Sequence, residues 1–186
     1  MGDEVKFAAV FQDLAEGSDL AQVRERFGLT QEQLQNIFQD AADYYYTLEE
    51  GIWSLYSDGA SRGNPGLAGA GVVLFDPYGQ MATQNLEFLG QTTNNVAEYR
   101  GVLLGLKMAR NLGIKQIKIY ADSELLVRQL NGSYKVKKPH LQSLWQQVQQ
   151  ELQHFKTFEI FHIPRELNRE ADRLANQAID QRPAAR

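Results

Sequence analysis

The hydrophobic positions near the start of the chain repeat with the period of an α-helix. Apolar side chains recur three and four residues apart in three successive stretches, which places them on one face of each predicted helix. Gly17 and Gly28 separate the stretches, as expected for a residue that commonly ends helices. Thr30 and Gln33 have the spacing of a capping box, in which each side chain bonds the other residue's backbone N–H. We therefore predict a small all-α module, similar to a helix-turn-helix, over residues 1–46.

From residue 52 onwards the pattern changes to a mixture of strands and helices. Short alternating or apolar runs predict strands over 52–57, 70–75, 80–89, 114–120 and 158–163. Helical spacing predicts helices over 92–111 (capped by Asn94 or Asn95), 124–130 and 139–155, and a last helix capped by Asn168. The order β-β-β-α-β-α-α-β-α predicts an α/β fold. We expect a five-stranded mixed sheet, an antiparallel meander plus two parallel strands, with flanking helices on both faces.

This change of pattern predicts where the domains begin and end. We expect the helical module over 1–46, a short linker over 47–51, the α/β domain over 52–180 and a disordered tail over 181–186. No internal repeat or low-complexity tract suggests a further domain.

The formal net charge of −4 conceals a difference between the two parts. Residues 1–50 hold 11 acidic and 3 basic side chains, whereas residues 51–186 hold 12 acidic and 16 basic ones. The α/β part can therefore attract a polyanion, and the module would repel one. A DNA-reading helix needs basic residues, and residues 31–43 contain none. We therefore expect residues 1–46 to contact protein, through self-association or a partner, with DNA binding as the less favoured alternative.

Composition excludes several classes of protein and site. The chain has no cysteine, so disulfide bonds and thiolate-bound metals are excluded, and a metal would need oxygen or histidine ligands. No apolar run is long enough to span a bilayer, and the acidic start of the chain differs from a signal peptide. We expect a cytoplasmic protein with no membrane partner.

Four acidic residues fall at the ends of predicted elements. Asp58 and Asp122 follow strands that a crossover connection makes neighbours, whereas Glu98 and Asp172 lie near the starts of helices. Converging carboxylates repel one another, and hard divalent cations such as Mg²⁺ or Mn²⁺ relieve that repulsion. Two such ions are the usual machinery for phosphodiester cleavage. Each acid by itself is equally typical of an ordinary turn or helix start, so the inference depends on their joint placement.

Four blocks of sequence resemble, in the same order, those of type 1 ribonuclease H. They are SDGASRGNPGLAGAG, TTNNVAEYRGVLLGL, IKIYADSELLVRQLNG and PRELNREADRLANQA, and the match covers about residues 51–180. The resemblance implies a ribonuclease H-like fold and an endoribonuclease that hydrolyses the RNA strand of RNA–DNA hybrids. It implies two bound Mg²⁺ or Mn²⁺ ions and products with 5′-phosphate and 3′-hydroxyl ends. It also implies that the catalytic and metal-binding residues are Asp58, Glu98, Asp122 and Asp172.

The same resemblance implies a set of substrate contacts. The residues expected near the DNA phosphate and minor groove are Asn64, Thr93 and Asn94. Those expected near the RNA 2′-hydroxyls, which distinguish RNA from DNA, are Ser61, Arg62, Asn95 and Glu98. Gly59 and Arg165 complete the predicted substrate-binding set.

Three departures from the family pattern bear on substrate choice. The loop over residues 163–168 is short, so His162 is predicted on the last strand, and Arg165 or Glu166 takes the place where many members carry a histidine. A short basic segment over 133–138 replaces a helical protrusion and either contacts the nucleic-acid backbone or is simply solvated. The acidic module differs from the basic hybrid-binding domain of some members. Two alternatives therefore stay open: a relaxed nuclease that also cuts double-stranded RNA, and a catalytically weak nucleic-acid-binding adaptor.

Overall fold

The computed structural model describes residues 3–181, with the side chains of residues 7–46 and 50–181. The chain divides into two compact units, Met1–Thr47 and Leu48–Arg186. Apart from Gln181, the predicted disordered tail lies outside the described residues. Within the described part of the chain, no helix is both long and apolar enough to cross a membrane.

The first unit is built from helices, as the sequence predicts. Its elements are α1 (Asp3–Ala15), α2 (Leu20–Phe27) and the start of α3 (Gln31–Glu50). Its buried core consists of Val10, Val23, Leu29 and Leu34. The predicted capping box is present, because Thr30 N–H donates to Gln33 Oε1 and Gln33 N–H donates to Thr30 Oγ1. Gly28 ends α2 in the left-handed conformation, with φ of 62°.

Residues 47–50, for which the sequence analysis predicts a linker, are instead the last turn of α3. The physical reason lies in the local sequence, which contains neither glycine nor proline from residue 29 to residue 50. Nothing therefore interrupts the helical backbone before Gly51, and β1 begins at Ile52.

The second unit contains the predicted five-stranded mixed sheet. Its strands are β1 (Ile52–Gly63), β2 (Gly66–Phe75), β3 (Met81–Thr92), β4 (Gln116–Ala121) and β5 (Thr157–His162). Their order is β3-β2-β1-β4-β5, with β1, β2 and β3 antiparallel and β4 parallel to both β1 and β5. The helices are α4 (Asn94–Asn111), α5 (Glu124–Leu130), α6 (Pro139–Leu152) and α7 (Arg169–Asp180), with a 3₁₀ turn at Arg165–Leu167. The predicted fold class is confirmed.

Strand β1 is longer than the sequence predicts. Its pairing with β4 stops at Tyr56↔Tyr120, but its pairing with β2 continues from Asp58↔Gly71 to Gly63↔Gly66. Asp58 therefore lies within the strand, just beyond the parallel ladder, and not at the strand's end. Residues 58–63, which lie beyond the predicted end of the strand, are extended because β2 satisfies their backbone hydrogen bonds.

Glycines let α4 and α7 pack directly against the backbones of the two central strands. A Cβ at Gly59 would lie 2.1 Å from the backbone nitrogen of Glu98 in α4. A Cβ at Gly71 would lie 2.3 Å from the carbonyl oxygen of Ala171 in α7. Side chains alternate across a strand, so the two helices lie on opposite faces of the sheet. These close approaches set how near each helix brings its side chains to Asp58.

We expect Gly71→Ala to lower the free energy of unfolding by about 1–3 kcal/mol, because the α7 backbone has to move to admit the methyl group. Urea denaturation would measure the loss. Gly105→Ala is the control: the three atoms nearest to its methyl group all belong to the side chain of Leu55, with Cδ1 at 2.4 Å, so a side chain and not a neighbouring backbone has to move. Equal losses for the two variants would contradict the proposed contact between α7 and the strand backbone.

Candidate active site

All four predicted acids line one pocket beside the ends of the parallel strands. Its volume is about 320 Å³. The lining residues are Asp58, Gly59, Ala60, Ser61, Asn94, Glu98, Asp122, Ser123, Arg165, Asp172 and Asn176. The acids thus come from four separate elements or their edges, and more than a hundred residues of chain separate the first from the last.

The parallel register explains why two of the acids lie together. Tyr56 of β1 pairs with Tyr120 of β4, and each acid follows two residues later, as Asp58 and as Asp122. Glu98 reaches the same place because α4 packs against Gly59. Asp172 lies in the first turn of α7, the helix that packs against Gly71, the partner of Asp58 in β2. The fold therefore brings four carboxylates into one pocket.

Polar neighbours hold the carboxylates in defined orientations. Glu98 accepts hydrogen bonds from Asn94 Nδ2 at Oε1 and from Ser123 Oγ at Oε2, both at 2.9 Å. Asp172 Oδ1 accepts one from Arg165 Nη2 at 2.5 Å. Among the described side chains, no group of three or more Asp, Glu or His residues has its side chains placed to hold a metal ion.

The pocket raises the pKa of two of its acids. Burial, followed by the charge of Asp122, raises the pKa of Asp58 to about 8, although the Gly59 N–H opposes the rise. Burial also raises the pKa of Glu98 to about 7, with Asp122 adding to the rise and the hydrogen bonds from Ser123 and Asn94 opposing it. The site therefore disfavours its own full negative charge near neutral pH, and it would favour a bound positive charge.

The predicted substrate-binding residues fall into three groups. Those in the acidic pocket are Gly59, Ser61, Asn94 and Arg165. Those lining a smaller pocket of about 130 Å³, together with Lys138, His140 and Leu141, are Asn64, Thr93 and Asn95. The two pockets are linked, because Asn64 Oδ1 accepts from the backbone N–H of Asn94 at 3.3 Å. Arg62 lines neither pocket, and its Nη2 instead donates to Asp180 Oδ1 at 2.6 Å.

Two predicted helix caps are used differently in the structure. Thr93, not Asn94 or Asn95, is the N-cap of α4, and its Oγ1 accepts from the N–H of Val96. Asn168 occupies the N-cap position of α7 as predicted, but its side chain makes no cap hydrogen bond. It is buried and donates to Asp122 instead.

Sequence reasoning missed two polar residues that line the site, Ser123 and Asn176, and the bond from Asn168 to Asp122. Ser123 was detectable, since it directly follows an acid and also caps α5. Asn168 carried a signal that points equally well to an ordinary helix cap. His162 ends β5, as predicted, and Arg165 of the following turn enters the acidic pocket.

Comparisons with known proteins support a single family. A family model described as reverse transcriptase-like matches residues 56–178. A bifunctional protein of Mycobacterium tuberculosis is 42% identical over 125 residues, which are 67% of this chain. The match covers 34% of that relative, so this chain spans about a third of its length.

Two solved structures share the fold of the second unit. RNase H1 from the archaeon Halobacterium salinarum is 37% identical with a TM-score of 0.69, covering 71% of this chain and 100% of that one. LC11-RNase H1, solved in complex with an RNA/DNA hybrid, is 39% identical with a TM-score of 0.66, covering 69% of this chain and 97% of that one. The family match extends over most of the second unit, which also contains the five-stranded sheet. Together these similarities show that the chain belongs to the type 1 ribonuclease H family.

Proposed function

We propose that this protein is an endoribonuclease that hydrolyses the RNA strand of RNA–DNA hybrids with two divalent metal ions. The proposed products have 5′-phosphate and 3′-hydroxyl ends. The observation that carries the proposal is the convergence of four carboxylates in one pocket. The 39% identity to LC11-RNase H1, which was solved with an RNA/DNA hybrid, supports the choice of substrate.

The chemistry of the pocket fits divalent cations. Its acidic groups are all carboxylates, and Mg²⁺ and Mn²⁺ prefer oxygen ligands. The raised pKa values of Asp58 and Glu98 support this fit, because a bound cation would favour the charged form of each carboxylate. The residues that would hold the ions are Asp58, Glu98, Asp122 and Asp172. Bound there, such ions supply activation of a water molecule and stabilisation of the charge on the leaving oxygen.

Other side chains of the site can bind and orient the substrate. Arg165 has a side chain that is 72% exposed and reaches the acidic pocket, so its guanidinium can bind a substrate phosphate. Ser61 and Asn94 present short polar groups suited to hydroxyl groups of the minor groove. Lys138, beside Asn64 and Thr93, adds positive charge to the second pocket and suits a backbone phosphate.

One observation favours the relaxed nuclease as a second candidate. Arg62, expected near the RNA 2′-hydroxyls, is paired with Asp180 outside the acidic pocket. A weaker set of 2′-hydroxyl contacts would discriminate less between hybrid and double-stranded RNA. Cleavage of matched hybrid, RNA and DNA duplexes would separate the two functions.

We further propose that residues 1–46 contact another protein or a second copy of this chain. The module has its own buried core and is acidic, which disfavours direct contact with nucleic acid. The family match begins only at residue 56, so it offers no function for this part.

The first prediction concerns catalysis. We expect the purified chain to cleave the RNA strand of a labelled hybrid only when Mg²⁺ or Mn²⁺ is present, and Asp58→Asn to abolish cleavage while the variant still binds the hybrid. Glu159→Gln is the control, because this exposed residue pairs with Lys118 away from the pocket. Substantial turnover by the Asp58 variant would refute the assignment.

The second prediction concerns stability without metal. Unfolded, Asp58 loses its proton near its ordinary pKa of 3.8, whereas in the folded protein it keeps the proton to about pH 8. Between these values the unfolded state binds fewer protons, so the stability of the folded state falls as pH rises. In EDTA, Asp58→Asn should therefore raise Tm by several degrees at pH 8, and the gain should shrink towards pH 4.

Scanning calorimetry at several pH values would measure this gain. Mg²⁺ should raise the Tm of the wild type more than that of the variant, because the variant lacks one of the proposed ligands. A gain independent of pH would show that the ionisation of buried Asp58 is not its source.

The third prediction concerns the helical module. Deleting residues 1–47 should leave kcat/KM for the hybrid within about threefold of the full chain, because domains with their own core fold alone. Glu50 is retained, since its Oε2 accepts from Lys156 Nζ at 3.1 Å within the second unit. The Halobacterium structure, matched over its whole length by 71% of this chain, supports independent folding. A large rise in KM on deletion would show that the module binds substrate.

A further inference from the structure

We infer that Asn168 is a positioning residue that fixes the Asp122 carboxylate and joins the elements that carry three of the four acids. The inference rests on the proposed function, because it concerns how the proposed metal ligands are held. Asn168 has only 1% of its surface exposed, although it lies beside a polar pocket.

The side-chain amide of Asn168 faces two acceptors. Its Nδ2 donates to the carbonyl oxygen of Ser57 at 3.0 Å and to Asp122 Oδ1 at 3.2 Å. A carbonyl and a carboxylate both require a donor, so only the NH₂ end of the amide can face them. The same group therefore links the β1 backbone next to Asp58 with the acid that follows β4.

The backbone of Asn168 extends the connection to the remaining parts of the site. Its carbonyl oxygen accepts from the N–H of Asp172 at 3.0 Å, at the start of α7. Its own N–H donates to the carbonyl oxygen of Arg165 at 2.9 Å. One residue thus has direct hydrogen bonds to Asp122, Asp172, Arg165 and the residue before Asp58.

A purely structural role would use this side chain differently. An asparagine at an N-cap normally accepts a hydrogen bond from an N–H in the first helical turn. Asn168 makes no such bond, and within the described part of the chain its buried Oδ1 has no hydrogen-bond partner. Leaving a buried amide oxygen unsatisfied costs stability. The donor end of the amide is directed towards Asp122 despite that cost. This is expected where the position of a carboxylate matters more than stability.

The test compares Asn168→Ala and Asn168→Leu with Asn131→Ala and Asn131→Leu. Leucine has the branched shape of asparagine and lacks a donor, so together with alanine it separates the hydrogen bond from the shape. Asn131, which is exposed, is the control for this type of contact, because its Nδ2 also joins a helix end to a strand, donating to the Ile160 carbonyl at 3.0 Å. Unlike Asn168, it does not bond to an acid of the acidic pocket.

Two measurements are made on each variant. The first is the rise in Tm that Mn²⁺ causes in the absence of substrate, and the second is the Mn²⁺ concentration at half-maximal hybrid hydrolysis. We expect both Asn168 variants to show a smaller Tm rise and to need roughly 10–100 times more Mn²⁺, as for partners of metal ligands. The Asn131 variants should be less stable in EDTA but should respond to Mn²⁺ as the wild type does.

Three outcomes would count against the inference. Asn168 variants that are folded by circular dichroism and respond to Mn²⁺ like the wild type would overturn it and leave the proposed function intact. A wild type with neither Mn²⁺-dependent hydrolysis nor a Tm rise would overturn the proposed function, and this inference with it.

The third outcome comes from the wild type alone, and it tests the inference even if the variants do not fold. During a Mg²⁺ titration, the Asn168 side-chain NH₂ signals in the NMR spectrum should shift more than those of Asn131, and equal shifts would overturn the inference.

Discussion

The cost of burying carboxylates close together is the constraint around which the second unit is organised. Burial and the charge of Asp122 raise the pKa of Asp58 to about 8, so bringing these groups together is unfavourable in itself. The helices that bring in the other acids are held in place by contacts elsewhere. Both α4 and α7 pack on glycines of the central strands, at Gly59 and Gly71. Packing of the surrounding core thus offsets the electrostatic cost at the site.

Neutral donors dominate the immediate surroundings of the acids. Asn94 and Ser123 bind Glu98, and Asn168 binds Asp122. A neutral donor orients a carboxylate without cancelling its charge, so the pocket keeps its attraction for cations. Arg165 is the charged neighbour, and it binds Asp172 from an exposed position. This division of roles suits the proposed function, in which the site binds metal ions and also contacts a polyanionic substrate.

Similarity to known proteins accounts for the second unit and not for the first. The family model and the solved RNase H1 structures correspond to the second unit, including the sheet and the acidic pocket. The first unit has a separate core of buried aliphatic side chains, and its acidity sets it apart from a nucleic-acid surface. The family match does not extend to this unit, so its proposed contact with protein is inferred from its composition and its core alone.

Local sequence patterns determined the order of strands and helices, the fold class and the capping box at Thr30. They also identified the four acids as a set. Each of these features depends on spacing within a few residues or on a motif. The extension of β1 to Gly63, the partner of Arg62 and the buried position of Asn168 could not be predicted in this way. They depend on β2, on Asp180 and on Ser57, which are neighbours only in the folded chain. Hydrogen bonds between residues far apart in sequence have no local signature. For that reason the identity of the acids could be inferred from the chain itself, whereas tertiary structure alone decided how they are held.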